Sequence, residues 1–341
     1  MCRPRFRQFI ANKGLGSPRT PRWANQWHMN TQRRPRALLI AGPTASGKSA
    51  FAIAAARAND GVVINADSMQ VYRELRVLTA RPSEADEACV PHRLFGHVSA
   101  REHYSVARWL DEVTAEIAAA EERGQLPVIV GGTGLYFKAL LEGLSPVPPI
   151  PDEVRADWRA AGDTWKAEDL HAELVRRDPL TAAQVRPSDR QRTVRALEVI
   201  TATGKPLAEW QAIEGKAVLD AGDVAKIVIS RPREELYERC EYRFRQMIDE
   251  GALNEVRFVG DMQLDPSLPA SRALGLAPLL AHVAGEIALD EAIKTSVQDT
   301  RRYIKRQQTW LRRYMITWDE FSTQQMESNI SDSFPNIQFS H

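Results

Sequence analysis

The chain has 341 residues, about twice the length of a usual single domain, which predicts one large domain with an insertion or two domains. Hydrophobic residues make up 43% and charged residues 26%, which excludes a wholly disordered chain, and no apolar run approaches the roughly 18 residues of a membrane-spanning helix. The formal net charge is +1, but residues 1–36 hold nine of the 45 Lys and Arg residues and none of the 44 Asp and Glu residues, so the remainder carries −8.

The basic leader, residues 1–35, is open to three interpretations. It is a transit peptide, an RNA-binding arm, or upstream sequence from a start placed too early, with Met29 as the true start. The leader lacks the continuous apolar segment of a secretory signal, and we favour the misplaced start. The three cysteines, Cys2, Cys89 and Cys240, form no CxxC pair, which excludes a zinc finger and a disulfide scaffold. Scarce cysteine predicts a reducing compartment, and we expect the cytoplasm, or the mitochondrion if the leader is genuine.

The first predicted strand, Ala37 to Ala41, is followed by a glycine loop and then by an alanine-rich stretch of helical character. Glycines let backbone amides approach phosphate oxygens, the next helix points its positive end at them, and Lys48 adds a charge. The Ser49 hydroxyl is placed to ligate Mg²⁺, the one cofactor that we expect. The pattern predicts a phosphate site without distinguishing a diphosphate from a triphosphate. The loop matches the P-loop pattern at every position and reads Gly42-Pro43-Thr44-Ala45-Ser46-Gly47-Lys48-Ser49.

Two further predicted strands end at polar or glycine-rich turns. Val62 to Ile64 leads into a turn that puts Asp67 at the edge where ligands bind in open parallel sheets, although a turn or cap Asp is the simpler reading. After a helix from Ser105 to Arg123, Val128 to Val130 enters a glycine-rich turn in which Thr133 is a cap residue, a ligand contact, or both. This strand does not end in the acid that holds magnesium in many NTPases, and no Asn-Lys-x-Asp guanine signal is present. The sequence therefore disfavours ATP or GTP hydrolysis.

The second half of the chain is predicted to be mainly helical. The prolines of residues 146–151 lack amide donors and indicate a stiff hinge before a helical insertion, residues 146–188. Residues 319–341 are polar and unpatterned, which predicts a disordered tail. Strands alternating with helices predict an α/β fold with a doubly wound, P-loop NTPase-like parallel sheet, whose catalytic core is formed by residues 36–145 and 189–318. The other predicted elements are a strand over Val224 to Ile229 and helices over Asp189 to Thr203, Arg233 to Glu250, Arg272 to Leu280 and Asp290 to Arg313.

The last predicted helix carries a basic ridge, which we define as Arg301, Arg302, Lys305, Arg306, Arg312 and Arg313. At about 100° per residue these side chains fall within an arc of about 140°, and Tyr303, Ile304, Trp310 and Leu311 occupy the opposite face. An ordinary solvated face is the alternative, but no acid interrupts the ridge between Thr300 and Thr317. On a chain whose remainder is acidic, the ridge predicts contact with RNA phosphates.

Several segments follow one another in a specific order along residues 37–318. After the P-loop come Asp67-Ser68-Met69-Gln70-Val71-Tyr72, Pro91-His92-Arg93-Leu94 and Gly131-Gly132-Thr133-Gly134-Leu135-Tyr136. They are followed by Asp189-x-Gln191-Arg192-x-x-Arg195-Ala196-Leu197-Glu198-Val199, Arg233-x-x-Leu236-Tyr237-x-Arg239 and Thr300-Arg301-Arg302-Tyr303-x-Lys305-Arg306-Gln307-x-Thr309-Trp310. In these segments the chain resembles the tRNA dimethylallyltransferase (isopentenyl-tRNA transferase) family. It departs where the family's Gly-Thr-Ala-Lys appears as Leu78-Thr79-Ala80-Arg81 and its Gly-Tyr as Gly275-Leu276.

The resemblance implies transfer of a dimethylallyl group from its diphosphate to the exocyclic amine of the adenosine 3′-adjacent to the anticodon in tRNA. Asp67 would take the amine proton, and Thr133 would line the reaction channel. Arg233 would join Lys48 in stabilising the leaving diphosphate. From its position alone, Arg233 would be a solvated residue at the start of a helix. The adenine must be unstacked first, so a flipped-out base and a pocket are expected. The implied tRNA contacts are Asp67, Ser68, Met69, Gln70, Thr133, Arg155, Gln191, Arg192, Arg195, Arg272, Lys305, Arg306 and Arg312.

The partners expected on this basis are the tRNA anticodon stem-loop and dimethylallyl diphosphate. We expect the enzyme to be a monomer that does not bind membranes. The main rival is a P-loop kinase of a nucleoside or small metabolite, with Asp67 binding or deprotonating the acceptor hydroxyl. That rival explains the P-loop but not the basic ridge. A second rival, an RNA-binding switch gated by nucleotide, predicts tRNA binding that is unaffected by chemistry at Asp67.

Overall fold

The computed structural model describes residues 35–322, which divide into two compact units. The first unit contains the described residues up to Lys138 and from Leu219 onward, and the second is Ala139–Val218. The leader up to residue 34 and the tail from residue 323 lie outside the described residues. Within residues 35–322, no helix combines the length and the apolar composition that crossing a bilayer requires.

The first unit is built on a six-stranded sheet in which every strand pair is parallel. The strand order is β3-β2-β4-β1-β5-β6, so the turns that follow the neighbouring strands β2, β4 and β1 lie along one edge. This arrangement confirms the predicted α/β fold with a parallel sheet. The strands are β1 Ala37–Ala41, β2 Gly61–Asn65, β3 His92–Arg93, β4 Leu126–Gly131, β5 Val224–Ser230 and β6 Asp319–Ser322.

Thirteen α-helices occur within the described residues, and the long ones begin and end at the predicted signals. In α3 the Ser105 side chain accepts a hydrogen bond from the Arg108 amide at 3.2 Å, and the buried positions recur at helical spacing from Trp109 to Ala120. The helices are α1 Lys48–Ala58, α2 Glu84–Cys89, α3 Val106–Glu122, α4 Gly134–Glu142, α5 Asp152–Thr164, α6 Ala167–Arg177, α7 Pro179–Ala182, α8 Arg190–Thr203, α9 Leu207–Gln211, α10 Arg233–Asp249, α11 Ala252–Asp261, α12 Leu276–Val283 and α13 Leu289–Tyr314, with a 3₁₀ turn over Pro269–Arg272.

The sheet is buried on both faces, as strands in a doubly wound fold require. Leu38 and Ile40 of β1 pack in one apolar cluster with Phe51 and its neighbours on α1. Because side chains alternate along a strand, Leu39 points to the other face, and it too is fully buried. Both faces of the sheet are therefore covered, and the carboxyl ends of the strands are the edge at which a ligand can bind.

The end of the first unit differs from the prediction of a disordered tail beginning at residue 319. Residues Asp319–Ser322 form β6, which pairs in parallel with β5. Phe321 is 3% exposed and its ring centroid lies 5.7 Å from that of Phe51. A single inward-facing aromatic in a polar segment gives no alternating pattern, so the strand is visible only once its partner β5 is in place.

The second unit is helical and has its own apolar core, which includes Leu170, Leu174 and Leu197. Asp178 is fully buried, where one carboxylate oxygen accepts from the Thr181 amide at 2.8 Å and the other accepts from the Leu207 amide at 3.1 Å. The unit extends beyond the predicted insertion 146–188 at both ends. In particular, α8 belongs to it, because the apolar face of that helix packs in the second unit's core.

Candidate active site

The P-loop lies between β1 and α1, in the predicted order of strand, glycine loop and helix. Gly47 has φ 96°, a left-handed conformation that favours glycine, and α1 begins at the next residue, Lys48. A Cβ atom on Gly42 would come within 2.9 Å of the Ile229 carbonyl oxygen of β5, so glycine is needed at this position as well. Ser49, the predicted Mg²⁺ ligand, lies on the first turn of α1 and is exposed.

Lys48 is half-buried, and the Asp67 carboxylate lies close enough to influence its charge. Its Nζ donates to the Pro43 carbonyl oxygen at 3.3 Å. Burial lowers the pKa of Lys48 to about 8, the Asp67 carboxylate acts in the opposite direction, and the Arg243 guanidinium lowers it further. An anion bound next to this ammonium would stabilise its charged form.

Asp67 is held by a turn that follows β2. The Asn65 side chain accepts from the Asp67 amide at 2.8 Å and donates to the Asp67 and Leu94 carbonyl oxygens at 2.9 and 3.0 Å. Oδ1 of Asp67 accepts from the Met69 amide at 2.9 Å. Across residues 35–322, Oδ2 of Asp67 has no hydrogen-bond partner, so one carboxylate oxygen is fixed and the other is available to accept a proton.

Thr133 lies next to this turn. Its Oγ1 accepts from the Ser68 amide at 3.0 Å and donates to the Ser68 hydroxyl at 3.4 Å. The two turns approach so closely that a Cβ atom on Gly131 would lie 2.0 Å from the Ala66 carbonyl oxygen. The glycines before Thr133 therefore allow β4 to bring its hydroxyl against the turn that carries Asp67.

Gln307 of α13 connects the turns after β1 and β4, a role that the sequence analysis missed. Its Oε1 accepts from the Thr44 amide of the P-loop at 2.9 Å, and its Nε2 donates to the Gly132 carbonyl oxygen at 3.0 Å. The side chain is 5% exposed. The available signal was a glutamine on the apolar side of α13, because a buried amide needs polar partners.

These elements surround a cavity of about 220 Å³ that combines cationic, acidic and apolar walls. Cations from the P-loop and from α10 stand in the same cavity as the carboxylate of Asp67. Apolar side chains come from the segment before α2, from α10 and from the residues before α12. The lining residues are Thr44, Lys48, Asp67, Ser68, Met69, Gln70, Leu78, Thr79, Cys240, Arg243, Phe244, Met247, Arg272, Leu274, Thr300, Tyr303 and Arg306.

Of the arginines on α10, the one that lines this cavity is Arg243, whereas the sequence analysis selected Arg233. Arg243 is half-buried, and its partial burial lowers the pKa of its guanidinium. One turn before it, Arg239 donates to the Ala45 carbonyl oxygen at 3.1 Å and fixes α10 against the P-loop. Arg233, at the start of α10, donates to Gln308 at 3.3 Å and lines a separate cavity of about 800 Å³. The structure therefore does not bring Arg233 into the cavity that contains Asp67.

Two phenols stand near the Asp67 carboxylate, Tyr136, which is buried, and Tyr303, which is half-buried. Burial raises the pKa of Tyr303, the negative charge of Asp67 raises it further, and hydrogen bonding to Thr133 and Gln307 acts in the opposite direction. Burial, and then the same carboxylate, also raise the pKa of Tyr136, whose ring stacks on Trp109 at 4.3 Å. Both phenols therefore remain neutral hydrogen-bond donors around neutral pH.

Apart from Thr133, described above, the residues implied as tRNA contacts fall into two groups in the first unit. Six of them line the cavity: Asp67, Ser68, Met69, Gln70, Arg272 and Arg306. Lys305 and Arg312 are exposed on α13 outside it, and Arg312 also lines the cavity that holds Arg233. Arg301 of the basic ridge is less free, because it pairs with Glu241 at 3.0 Å and lies over the Tyr237 ring.

Four implied tRNA contacts lie in the second unit. Gln191 and Arg192 are exposed at the start of α8, and Arg192 pairs with Asp189 at 3.5 Å. Arg195 pairs at 3.1 Å with Glu198, a buried acid. Arg155 donates to the Asp152 carboxylate and to the Ile150 carbonyl oxygen, both at 3.4 Å. Gln191 and Arg192 are therefore the more available members of this group.

Comparison with known proteins gives a consistent result across nearly the whole described chain. A family model described as IPP transferase matches residues 70–314, and one described as isopentenyl transferase matches residues 35–95. The chain is 53% identical over 294 residues to the tRNA dimethylallyltransferase of Parvibaculum lavamentivorans, which covers 86% of this chain and 93% of that relative. It is 51% identical over 280 residues to the tRNA dimethylallyltransferase of Rhodopseudomonas palustris, covering 82% and 87% of the two chains.

Solved structures agree with these relatives. The tRNA isopentenylpyrophosphate transferase of Bacillus halodurans superposes with a TM-score of 0.63 at 31% identity, covering 89% of this chain and 96% of that chain. A eukaryotic dimethylallyltransferase acting on tRNA superposes with a TM-score of 0.72 at 26% identity, covering 86% and 76%.

Proposed function

The chain belongs to the IPP transferase family, and we propose that it transfers a dimethylallyl group from dimethylallyl diphosphate to the exocyclic amine of the adenosine 3′-adjacent to the anticodon in tRNA. Family membership makes it a transferase that prenylates tRNA. The donor, the acceptor atom and the roles of the residues are what we propose. One observation supports them above all: a single cavity contains the P-loop lysine, the carboxylate of Asp67 and an apolar wall.

The cationic wall suits the diphosphate of the donor. Lys48, Arg243 and the P-loop amides would neutralise the charge that develops as the carbon–oxygen bond breaks. Apolar side chains such as Leu78, Phe244 and Met247 suit the five-carbon dimethylallyl group, because a hydrocarbon is poorly solvated by water. The P-loop then holds a leaving group, and the atom attacked is carbon.

The carboxylate of Asp67 suits the acceptor, which is the exocyclic amine of an adenosine. An adenine amine is a poor nucleophile, because its lone pair is delocalised into the ring, and it must lose a proton as the new carbon–nitrogen bond forms. Oδ2 of Asp67 can take that proton, while the bond from the Met69 amide to Oδ1 holds the carboxylate in place. Thr133, held against Ser68, would position the amine or the diphosphate.

Magnesium fits this site as an ion shared with the substrate. Within residues 35–322, no three His, Cys, Asp or Glu side chains group into a metal site, so the protein would contribute the hydroxyl of Ser49. Magnesium commonly keeps several waters and binds through substrate phosphates, which suits a site with a single protein ligand. When bound, Mg²⁺ would supply charge neutralisation to the diphosphate.

The tRNA would approach from the side of Gln70, Arg272 and Arg306, with the exposed part of the basic ridge holding its phosphates. A monomeric enzyme in the cytoplasm, where tRNA is modified, completes the proposal. The anticodon stem-loop is the proposed partner, because a loop base can be unstacked and inserted into a cavity.

The assay supplies radiolabelled dimethylallyl diphosphate and tRNA without ATP. Label should enter the tRNA, and Asp67→Asn should lower kcat roughly 100- to 10,000-fold, because the amide keeps an oxygen for the Met69 amide but cannot take a proton. Affinity for tRNA should stay within a few-fold of the original, and Asp111→Asn, on the exposed face of α3, serves as the control. Turnover of Asp67→Asn close to normal would refute the role as base. ATP consumption with a small acceptor, and no label in tRNA, would favour the kinase.

A further inference from the structure

Glu255, on the first turn of α11, binds three consecutive backbone amides of another segment. One of its oxygens accepts from the Arg76 amide at 2.7 Å and from the Val77 amide at 2.8 Å, and the other accepts from the Leu78 amide at 2.9 Å. The segment is irregular, so these amides have no helical or sheet partners. A carboxylate has lone pairs for all three, and hydrogen bonds to a charged group are stronger than those between neutral groups.

The segment that Glu255 binds is part of the wall of the cavity. Leu78 and Thr79 line it together with Gln70. Nε2 of Gln70 donates to the Thr79 carbonyl oxygen at 2.9 Å and to the Ala80 carbonyl oxygen at 3.0 Å. Ala80 has φ 52°, a conformation that external bonds must maintain in a residue other than glycine. The backbone of residues 76–80 is thus hydrogen-bonded to Glu255 through its first three amides and to the side chain of Gln70 through its last two carbonyl oxygens.

The opposite side of the segment is packed tightly. Leu78 stands where the family has glycine, and it is 6% exposed. A Cβ atom on Gly275 would lie 2.8 Å from the Phe244 ring and 3.1 Å from Leu78 Cδ1, so these three residues meet without spare room. A displacement of the Leu78 backbone would therefore change both the apolar wall and the position of Gln70.

We propose that Glu255 is a positioning residue for the acceptor side of the cavity: by binding the amides of residues 76–78, it fixes Leu78 and, through Thr79 and Ala80, Gln70. This inference rests on the proposed function, in which Gln70 contacts tRNA. Glu255 acts through its neighbours, since the segment and not the carboxylate lines the cavity. Leu78 is one of several apolar residues assigned to the dimethylallyl group, and the diphosphate that chiefly holds the donor is assigned to the P-loop and α10. Removal of the Glu255 carboxylate should therefore raise the KM for tRNA more than the KM for the donor.

The test compares Glu255→Gln with Glu84→Gln. A glutamine keeps an oxygen for the Arg76 and Val77 amides but turns an amino group towards the Leu78 amide, so that two donors face each other. Glu84 is the control, because it is 90% exposed and pairs with the Arg76 side chain at 3.4 Å, not with the backbone. In Glu255→Gln the KM for tRNA should rise about tenfold, with the KM for dimethylallyl diphosphate within about twofold and kcat within about threefold. Glu84→Gln should change none of these values.

Hydrogen exchange provides a readout that does not depend on activity. Amides in residues 76–78 should exchange faster in Glu255→Gln, while those of β1, β2 and β4 keep their protection. Unchanged exchange at residues 76–78, or equal effects on both KM values, would overturn the inference. If wild-type enzyme fails to label tRNA, the proposed function fails, and faster exchange in the variant would still identify Glu255 as the anchor of this segment.

Discussion

The pKa of Lys48 lies within the pH range of an enzyme assay, because burial and the nearby Arg243 guanidinium lower it. The lysine loses hydration at the base of the P-loop, and Arg243 adds positive charge nearby, so that its pKa falls to about 8. The neutral form of Lys48 is therefore populated at a lower pH than the neutral form of an exposed lysine. Only the protonated form carries the charge that attracts a diphosphate.

Donor binding should accordingly weaken with rising pH. Below about pH 8 the Lys48 ammonium is charged and the kcat/KM for dimethylallyl diphosphate should be level; above it, the value should fall by up to tenfold per pH unit. The measurement is kcat/KM for the donor at saturating tRNA, which reports the enzyme–tRNA complex before the donor binds. Lys48→Arg keeps its charge, so its activity, at whatever level remains, should show no such fall. If kcat/KM for the donor stays level in the wild-type enzyme to well above pH 9, the Lys48 ammonium does not hold the diphosphate.

The side-chain roles at Asp67 and Thr133 follow from short-range geometry. Asn65, two residues before the acid, fixes the turn, and the Ser68 amide, one residue after it, binds Thr133. The first interaction lies within the turn after β2, and the second joins the ends of the adjacent strands β2 and β4. Such residues can be selected from a motif, because strand pairing alone determines their separation.

At the scale of elements, β6 shows how a strand can depend on its partner. The segment after α13 is short and polar, and it becomes a strand because β5 offers an unpaired edge and Phe51 offers an apolar surface. Its one buried aromatic, Phe321, then joins the main core cluster of the first unit. The sheet therefore includes residues 319–322.

Truncating this aromatic tests the assignment of β6. Phe321→Ala should lower the free energy of unfolding by about 3–5 kcal/mol, the usual cost of removing a buried phenylalanine. Denaturant unfolding measures the change, and Glu320→Ala, at an exposed position of the same strand, should alter stability by no more than about 0.5 kcal/mol. A disordered tail would leave the two variants alike, which would exclude β6 as part of the core.

At the scale of the whole molecule, the order of the strands assembles the site. Because β2, β4 and β1 are neighbours, the turn of Asp67, the turn of Thr133 and the P-loop lie side by side, and Gln307 of α13 links the latter two. The same helix carries the basic ridge, so one element bonds to the P-loop and to the turn of Thr133 and also carries the cations proposed to bind RNA. Since the chain beyond the leader is acidic overall, these cations concentrate its attraction for phosphates.

Salt dependence measures how many of these cations meet phosphates. Lys305 and Arg312 are exposed, so replacing both with glutamine should weaken tRNA binding and reduce the slope of log K against log salt by about 0.7–0.9 per lost contact. Titrations over a range of salt concentrations give the slope, and Arg57→Gln at the end of α1 is the matched control. A slope unchanged by the double substitution would show that the ridge does not bind the tRNA backbone.

The sequence by itself determined the features that local spacing encodes: the P-loop, the turns that carry Asp67 and Thr133, the parallel α/β architecture and the long helices. Each depends on residues a few positions apart, or on strand pairing that the alternation of strands and helices imposes. Tertiary structure alone decided that Arg243 and not Arg233 enters the cavity, that Glu255 holds residues 76–78, that α8 belongs to the second unit and that β6 exists. These features depend on which face and which end of a helix or strand meets a partner distant in the chain, and short-range periodicity carries no information about such contacts.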